Sequence, residues 1–354
     1  MTPTTSAVPV DWDAAGALAS RLVRPGPGAG REELAALVAS LRSAGERAAA
    51  HVAEITGLEP ADGLGVEGTP LSRVLVVDRA SWARANTQVF GAMVPGSRPR
   101  SAAGYAGAVE VAGVLAVLAG KVLGQFDPFT ADGPRGRLLL VAPNILAAER
   151  EMGVAEEDFR LWVALHEQTH ALQFAAAPWL AAHLRERAAR LVHLTKEPEA
   201  VPGDLGELLA RVVRLLREAL TNAPETGGPG LVGVLGREQA ELVREVGAVM
   251  ALLEGHADVT MDAVGPSVVP TVAAIRRRFE ARRGELGSPL QRVLRRLLGL
   301  DAKLAQYRDG AAFVRGVEKA AGRQAVNAVF SGPEALPTAQ EIADPRAWVR
   351  RVLG

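Results

Sequence analysis

Residues Leu161–Leu172 read LWVALHEQTHAL and contain the pattern H-E-x-x-H, with histidines at positions 166 and 170. Residues four apart in an α-helix lie on one face, one turn apart, so the two imidazoles can bind one tetrahedral metal ion without distorting the backbone. The flanking residues are uncharged and mostly apolar, and residues 156–177 contain no proline. The stretch therefore predicts a buried helix that carries two metal ligands.

The glutamate of this pattern has a different position. Glu167 is rotated from His166 by about 100° around the helix axis, so it lies beside the metal, where it can act as a general base on a metal-bound water. The chain has six histidines and no cysteine, so any metal must be held by histidine, aspartate and glutamate. We therefore expect zinc as the cofactor, bound by His166 and His170.

A catalytic zinc needs a third protein ligand and an open fourth position. The candidate cluster is LEGHAD at 253–258. Glu254 and Asp258 are one helical turn apart, so Glu254 can be the ligand while Asp258 holds the free N–H of a ligating imidazole. His256 points to roughly the opposite side and is the alternative third ligand. Gly255, in mid-helix, indicates close packing against another backbone.

Hydrolysis by a zinc-bound water also creates an oxyanion, which needs a hydrogen-bond donor. Tyr307 precedes a turn-like sequence and can reach into a cleft, so it is the candidate catalytic donor. An ordinary hydrogen bond from a partly buried tyrosine is the alternative. His256 can serve the same electrophilic role if it is not a ligand.

The remainder of the chain shows mainly helical periodicity, interrupted by short apolar runs that predict strands at Arg73–Val77 and Arg137–Val141. The expected fold class is mainly α with a small β-sheet (α+β). The predicted helices lie at 12–24, 31–57, 80–94, 102–124, 156–194 (two helices that meet near Pro178), 203–221, 236–264, 270–284, 287–300 and 309–330.

Length and composition limit the other possibilities. With 354 residues and 48% apolar residues, a single unit, 1–354, is expected; the alternative is an N-terminal part, 1–130, and a C-terminal metal-site part, 131–354. The net charge of +0 argues against nucleic acid and anionic membranes as partners. The N-terminal residues lack the features of a secretory signal, and Glu110 interrupts the most apolar segment, so we expect a cytoplasmic protein. Its oligomeric state is not predicted.

At His166–His170 and Glu254–Asp258 the sequence resembles the zincin metallopeptidases. Within that group, an H-E-x-x-H pattern followed by E-x-x-x-D resembles the gluzincin arrangement. Over nearly its whole length the chain is more similar to a family of zincin-like hydrolases. That family is classified as a domain of unknown function, and its label associates it with deazaflavin-coenzyme biosynthesis. The resemblance implies a zincin-like, mostly helical fold, zinc bound by His166, His170 and Glu254, and Glu167 as the base. It also implies an edge strand that binds an extended peptide, for which Arg137–Val141 is the candidate. The segments that carry it are VDW at 10–12, GQFDP at 124–128, LLLVAPNI at 138–145, DFRLWVALHEQTHALQF at 158–174, LLEGHADVTMDAVGP at 252–266, KLAQYRDGAAFV at 303–314 and LPTAQEIADPRAWVRRV at 336–352.

The leading hypothesis is a zinc-dependent hydrolase of the metallopeptidase type, in which Glu167 activates the water. Two alternatives stay open. One is a non-catalytic zincin-like scaffold or binding protein, in which the metal braces two helices. The other is a metal-dependent hydrolase with a small-molecule substrate in place of a peptide.

Overall fold

A computed structural model describes residues 10–93, 101–130, 135–194, 237–286 and 310–354. The described chain is mostly helical with one three-stranded sheet, which confirms the expected fold class. The predicted helices at 203–221 and 287–300 lie outside the described residues. The helices are α1 (Trp12–Leu22), α2 (Arg31–Thr56), α3 (Gly65–Gly68), α4 (Arg79–Met93), α5 (Ala102–Leu118), α6 (Ala142–Met152), α7 (Glu156–Ala176), α8 (Trp179–Leu194), α9 (Arg237–Ala263), α10 (Val272–Leu286), α11 (Gly310–Ala321), α12 (Ala339–Ala343) and α13 (Pro345–Val352), with 3₁₀ turns at Arg323–Phe330 and Pro333–Ala335.

The sheet has the strand order β1-β3-β2, with β1 at Arg73–Val77, β2 at Gly124–Asp127 and β3 at Arg137–Val141. Strands β1 and β3 are parallel, whereas β2 and β3 are antiparallel. The prediction that Arg137–Val141 is an edge strand is therefore wrong, because this strand lies in the centre of the sheet. The edge beside helix α7 is β2, a strand that the sequence pattern does not reveal.

Strand β3 is buried on both faces, which explains its continuous apolar sequence. Leu138 and Leu140 belong to the apolar core that includes α2 and α7. Leu139 and Val141 belong to a second core formed with α1, α4 and α5. Successive side chains of a strand point to opposite faces, so the four apolar residues of β3 join two helical layers across one sheet.

A buried ion pair joins β2 to β3 at one end of the sheet. Asp127 and Arg137 are directly opposite in the register, and Arg137 Nε donates to Asp127 Oδ2 at 2.8 Å. Further bonds from the guanidinium reach the Ala85 carbonyl and the Gln88 side chain on α4. These bonds compensate the loss of hydration of both charges and hold the short edge strand in place.

Helix α5 contains Glu110, the charged residue that interrupts the most apolar segment of the sequence and argues against a membrane span there. One face of the helix packs into the second core through residues such as Ala108, Ala112 and Leu115. Among the described residues, none of the helices combines the length and the apolar character that crossing a bilayer requires.

Gly255 is in van der Waals contact with another backbone, as its position in mid-helix indicates. A Cβ atom at Gly255 would lie 2.0 Å from the carbonyl carbon of Gly310 and 2.3 Å from the amide nitrogen of Ala311. Backbone atoms of α11 cannot rotate away as a side chain can. The absence of a side chain therefore sets the distance between α11 and the helix that carries Glu254.

We expect Gly255→Ala to lower the free energy of unfolding by about 3 kcal/mol, because the added methyl group forces two helices apart. Urea unfolding measures this change. The matched control is Gly113→Ala, also within a helix, where a Cβ atom would meet nothing within 4 Å; this change should be neutral or stabilising by up to about 1 kcal/mol. Equal stability of the two variants would contradict the close approach.

Candidate metal centre

The central helix α7 owes its position to its ends and its burial. Glu156, Glu157 and Asp158 occupy its first turn, where negative charge interacts favourably with the helix dipole. The helix ends at Ala176, since the residue before Pro178 disfavours helical geometry. Fourteen of its 21 residues are buried, so the helix passes through the main core and its side chains have fixed surroundings.

The two histidines of α7 direct their Nε2 atoms toward each other, 3.2 Å apart. Glu254 of α9 faces both of them: its Oε2 lies 3.6 Å from His166 Nε2, and its Oε1 lies 3.6 Å from His170 Nε2. Within the described part of the chain these three residues form a group of potential metal ligands whose donor atoms all lie within 4.8 Å of one another. The structure thus brings together the pair from one helix and the carboxylate from another.

The donor set fits zinc in both chemistry and spacing. Two imidazole nitrogens and one carboxylate are a usual catalytic zinc set, and tetrahedral bonds of about 2.0–2.2 Å hold the donor atoms about 3.3–3.6 Å apart. The two Nε2 atoms are 3.2 Å apart, and each lies 3.6 Å from a different oxygen of Glu254, so the three side chains are near this spacing. The side chains remain 13–24% exposed, so solvent reaches the group, as an open fourth position requires.

Glu167 is almost fully buried beside this group, at 7% exposure. Burial raises the pKa of its carboxyl to about 7; the charge of Glu254 adds to this, whereas His170 and a hydrogen bond from the backbone N–H of Phe126 oppose it. Gly124 of β2 also lies against the carboxylate, since a Cβ atom there would be 2.6 Å from Glu167 Cγ. The edge strand therefore supplies both a donor and the space for Glu167.

The buried carboxyl makes the stability of the metal-free protein depend on pH. Its pKa of about 7 in the folded protein compares with 4.5 for an unperturbed glutamate. Between these two values the folded state binds more protons than the unfolded chain, so stability is lost as the pH rises from 4.5 to 7 and is constant above. We expect Glu167→Gln to stabilise the chelator-treated protein by about 2–3 kcal/mol more at pH 8 than at pH 5.

Urea unfolding at the two pH values measures this difference. Glu157→Gln is the control, because Glu157 is exposed on the same helix and its loss removes one charge without changing the buried site. An equal gain for Glu167→Gln at pH 5 and pH 8 would show that the carboxyl of Glu167 is not perturbed by burial.

His256 lies behind the three-residue group rather than in it. Its ring is 5% exposed, and its Nδ1 lies 3.0 Å from Nε2 of Gln173. Burial lowers the pKa of His256 to about 4, and the charge of His170 adds to this effect, so the ring is neutral at pH 7. The geometry favours Glu254 over His256 as the third ligand.

The other predicted site residues have mixed positions. Asp258 lies one turn after Glu254 on α9, and its Oδ1 is 3.7 Å from Nη1 of Arg276; its contact with a ligating imidazole stays a prediction. The Nδ1 atom of His166 lies 3.1 Å from the sulfur of Met261. Tyr307 lies outside the described residues, so its role as a donor also stays a prediction.

Two contributions to the site come from outside the predicted site residues. Gln173 lies on the same helical stripe as the two histidines, seven residues after His166. The structure places its side chain between His170 and His256. The second contribution is the backbone of β2, for which the pattern GQFD at 124–127 provides no strand signal.

The chain is similar to known proteins over nearly its whole length. A family model described as zincin-like metallopeptidase matches residues 10–349. A crystal structure from Chloroflexus aurantiacus, described as "a putative hydrolase with a novel fold", is 30% identical and covers 97% of this chain and 98% of that one, with a TM-score of 0.65. None of the curated proteins matched the chain. The chain therefore belongs to the zincin-like metallopeptidase family.

Proposed function

We propose that the protein is a zinc-dependent hydrolase that cleaves peptides, with Glu167 as the general base. One observation carries this proposal: His166, His170 and Glu254 converge on one point that solvent reaches, and Glu167 lies buried next to them. Family membership and the similar structure described as a hydrolase support the reaction class. The two imidazoles and the carboxylate of Glu254 would hold the metal, which supplies Lewis acidity toward a carbonyl and toward water.

Glu167 has the properties of a proton acceptor in this arrangement. In the metal-free protein its carboxyl has a pKa of about 7, so the group is buried but can still ionise near neutral pH, as a general base must. The charge of a cation on the neighbouring residues favours the ionised form, so the carboxylate then accepts the proton of the attacking water and passes it to the leaving amine. The N–H of Phe126 keeps the carboxylate oriented during both transfers.

The edge strand β2 favours an extended peptide as the substrate. Val141 N donates to Leu123 O at 2.9 Å, and inward bonds recur at alternate residues of an antiparallel strand. The backbone groups of Gly124 and Phe126 therefore point away from β3. The Phe126 N–H already donates to Glu167, so a peptide would pair through the other outward groups of this edge. Because Gly124 lies against Glu167, a peptide that pairs with this edge would have its backbone next to the general base.

A peptide library incubated with the zinc-loaded protein tests this proposal, with fragments identified by mass spectrometry. We expect fragments that are absent when a chelator removes the metal. Zinc binding without cleavage of any peptide would contradict the peptidase activity and leave a small-molecule substrate or a scaffold role. Failure to bind zinc would contradict the metal centre itself.

A further inference from the structure

The side chain of Gln173 connects the two helices of the metal centre. It is fully buried, at 0% exposure, and lies one turn after His170 on α7. Its Oε1 is 2.9 Å from His170 Nδ1, and its Nε2 is 3.0 Å from the carbonyl oxygen of Leu253 and 3.0 Å from His256 Nδ1. Leu253 directly precedes Glu254 on α9, so these bonds join a histidine ligand to the segment that carries the carboxylate ligand.

The Leu253 carbonyl oxygen determines which atom carries the proton in each of these hydrogen bonds. A carbonyl oxygen only accepts, so the amide atom that faces it must be the NH₂ group of Gln173. The opposite atom is then the amide oxygen, which also only accepts, and His170 must carry its proton on Nδ1. The lone pair of His170 therefore lies on Nε2, the atom that faces His166 and Glu254. The second N–H of Gln173 donates to His256 Nδ1, so the proton of His256 is on Nε2.

We propose that Gln173 is a positioning residue of the metal centre: it fixes the tautomer of His170 and ties the backbone next to Glu254 to α7. The inference rests on the proposed zinc site for its functional meaning. A ligating histidine needs a partner for its second ring nitrogen, and loss of that partner weakens metal binding. Here a neutral amide provides this partner, and it acts as a donor toward the second helix at the same time, which a carboxylate cannot do.

Zinc affinity, measured by competition with a chromophoric chelator, tests the proposal in Gln173→Leu. We expect the dissociation constant to rise about 10- to 100-fold. The matched control is Gln168→Leu. Gln168 is also buried on α7 and also bonds a backbone carbonyl, that of Gly45, and a side chain, that of Ser72. The control should lose stability but keep the zinc affinity of the wild type.

The positions of the imidazole protons provide a second measurement, through long-range nitrogen–proton NMR correlations of the metal-free protein. In the wild type we expect His170 to be protonated on Nδ1 and His256 on Nε2. In Gln173→Glu the carboxylate still accepts from His170 but can donate neither to His256 nor to the Leu253 carbonyl oxygen. We therefore expect His170 to keep its tautomer and His256 to move its proton to Nδ1.

These results separate the inference from the proposed function. Wild-type zinc affinity in a folded Gln173→Leu, or an equal loss of affinity in Gln168→Leu, would overturn the positioning role. If Gln173→Leu does not fold, an unchanged His256 tautomer in Gln173→Glu would overturn the inference in its place. If the wild type itself binds no zinc, the proposed function fails, whereas the two tautomers still show whether Gln173 orders the histidines.

Discussion

Alanine at His166 or at His170 is expected to lower the zinc affinity of the protein by about two to four orders of magnitude. Zinc binding by protein sites has an apparent free energy of about 10–16 kcal/mol, and the loss of one of three ligands removes about 3–5 kcal/mol of it, at 1.4 kcal/mol for each factor of ten. The Nε2 atoms of the two imidazoles lie 3.2 Å apart and would bind the same ion. When one histidine is lost, the other therefore cannot supply the missing ligand atom. Metal analysis after dialysis and chelator competition measure the loss.

The same experiment decides between the candidate third ligands. Glu254→Ala should lose zinc as the histidine variants do, because both of its oxygens face the imidazoles at 3.6 Å. His256→Ala should change the affinity by less than about tenfold, since His256 contacts Gln173 and is not among the three converging donors. His183→Ala, on the neighbouring helix α8, is the control and should bind like the wild type. A larger loss in His256→Ala than in Glu254→Ala would make His256 the ligand.

The main part of the centre could be predicted because its chemistry is local. The spacing of His166 and His170 follows from the helical repeat alone, and the structure places both residues on one face of α7. The relation of Glu254 to them was inferred from a second helical pattern, and the three residues do converge. The close approach at Gly255 was also indicated, because a glycine in a helix interior costs stability unless the space is needed.

What the sequence did not reveal depends on contacts between distant segments. Arg137–Val141 was expected at the edge of the sheet, but strand order is determined by which segments pair, and a short apolar run has the same composition in either place. β2 has four residues and begins with Gly124, which lies close to Glu167 where a side chain would collide. Gln173 lies on the face of α7 that carries His166 and His170. Its partners, Leu253 and His256, lie about 80 residues further along the chain, so the local pattern could not identify them.

Glu167→Gln is expected to reduce turnover of a cleaved peptide by about two to four orders of magnitude while zinc remains bound near one equivalent. The amide has nearly the shape of the carboxylate but cannot accept the proton of the attacking water, and removal of a general base has an effect of this size. Glu167 is not in the group of three converging donors, so its replacement leaves the ligands intact. Peptide cleavage rates and metal analysis on the same samples test both parts.

Each outcome of this experiment assigns Glu167 a different role. Glu157→Gln, at an exposed position of the same helix, is the control and should retain turnover and metal. Loss of zinc together with activity in Glu167→Gln would mean that Glu167 is a ligand or supports the structure of the site. Retained turnover with bound zinc would mean that another group accepts the proton. Glu167 is buried against Gly124 and accepts a hydrogen bond from the N–H of Phe126, so its position is fixed by a strand and a helix. Because Glu167 acts on the water and not on substrate binding, we expect the loss in kcat rather than in KM.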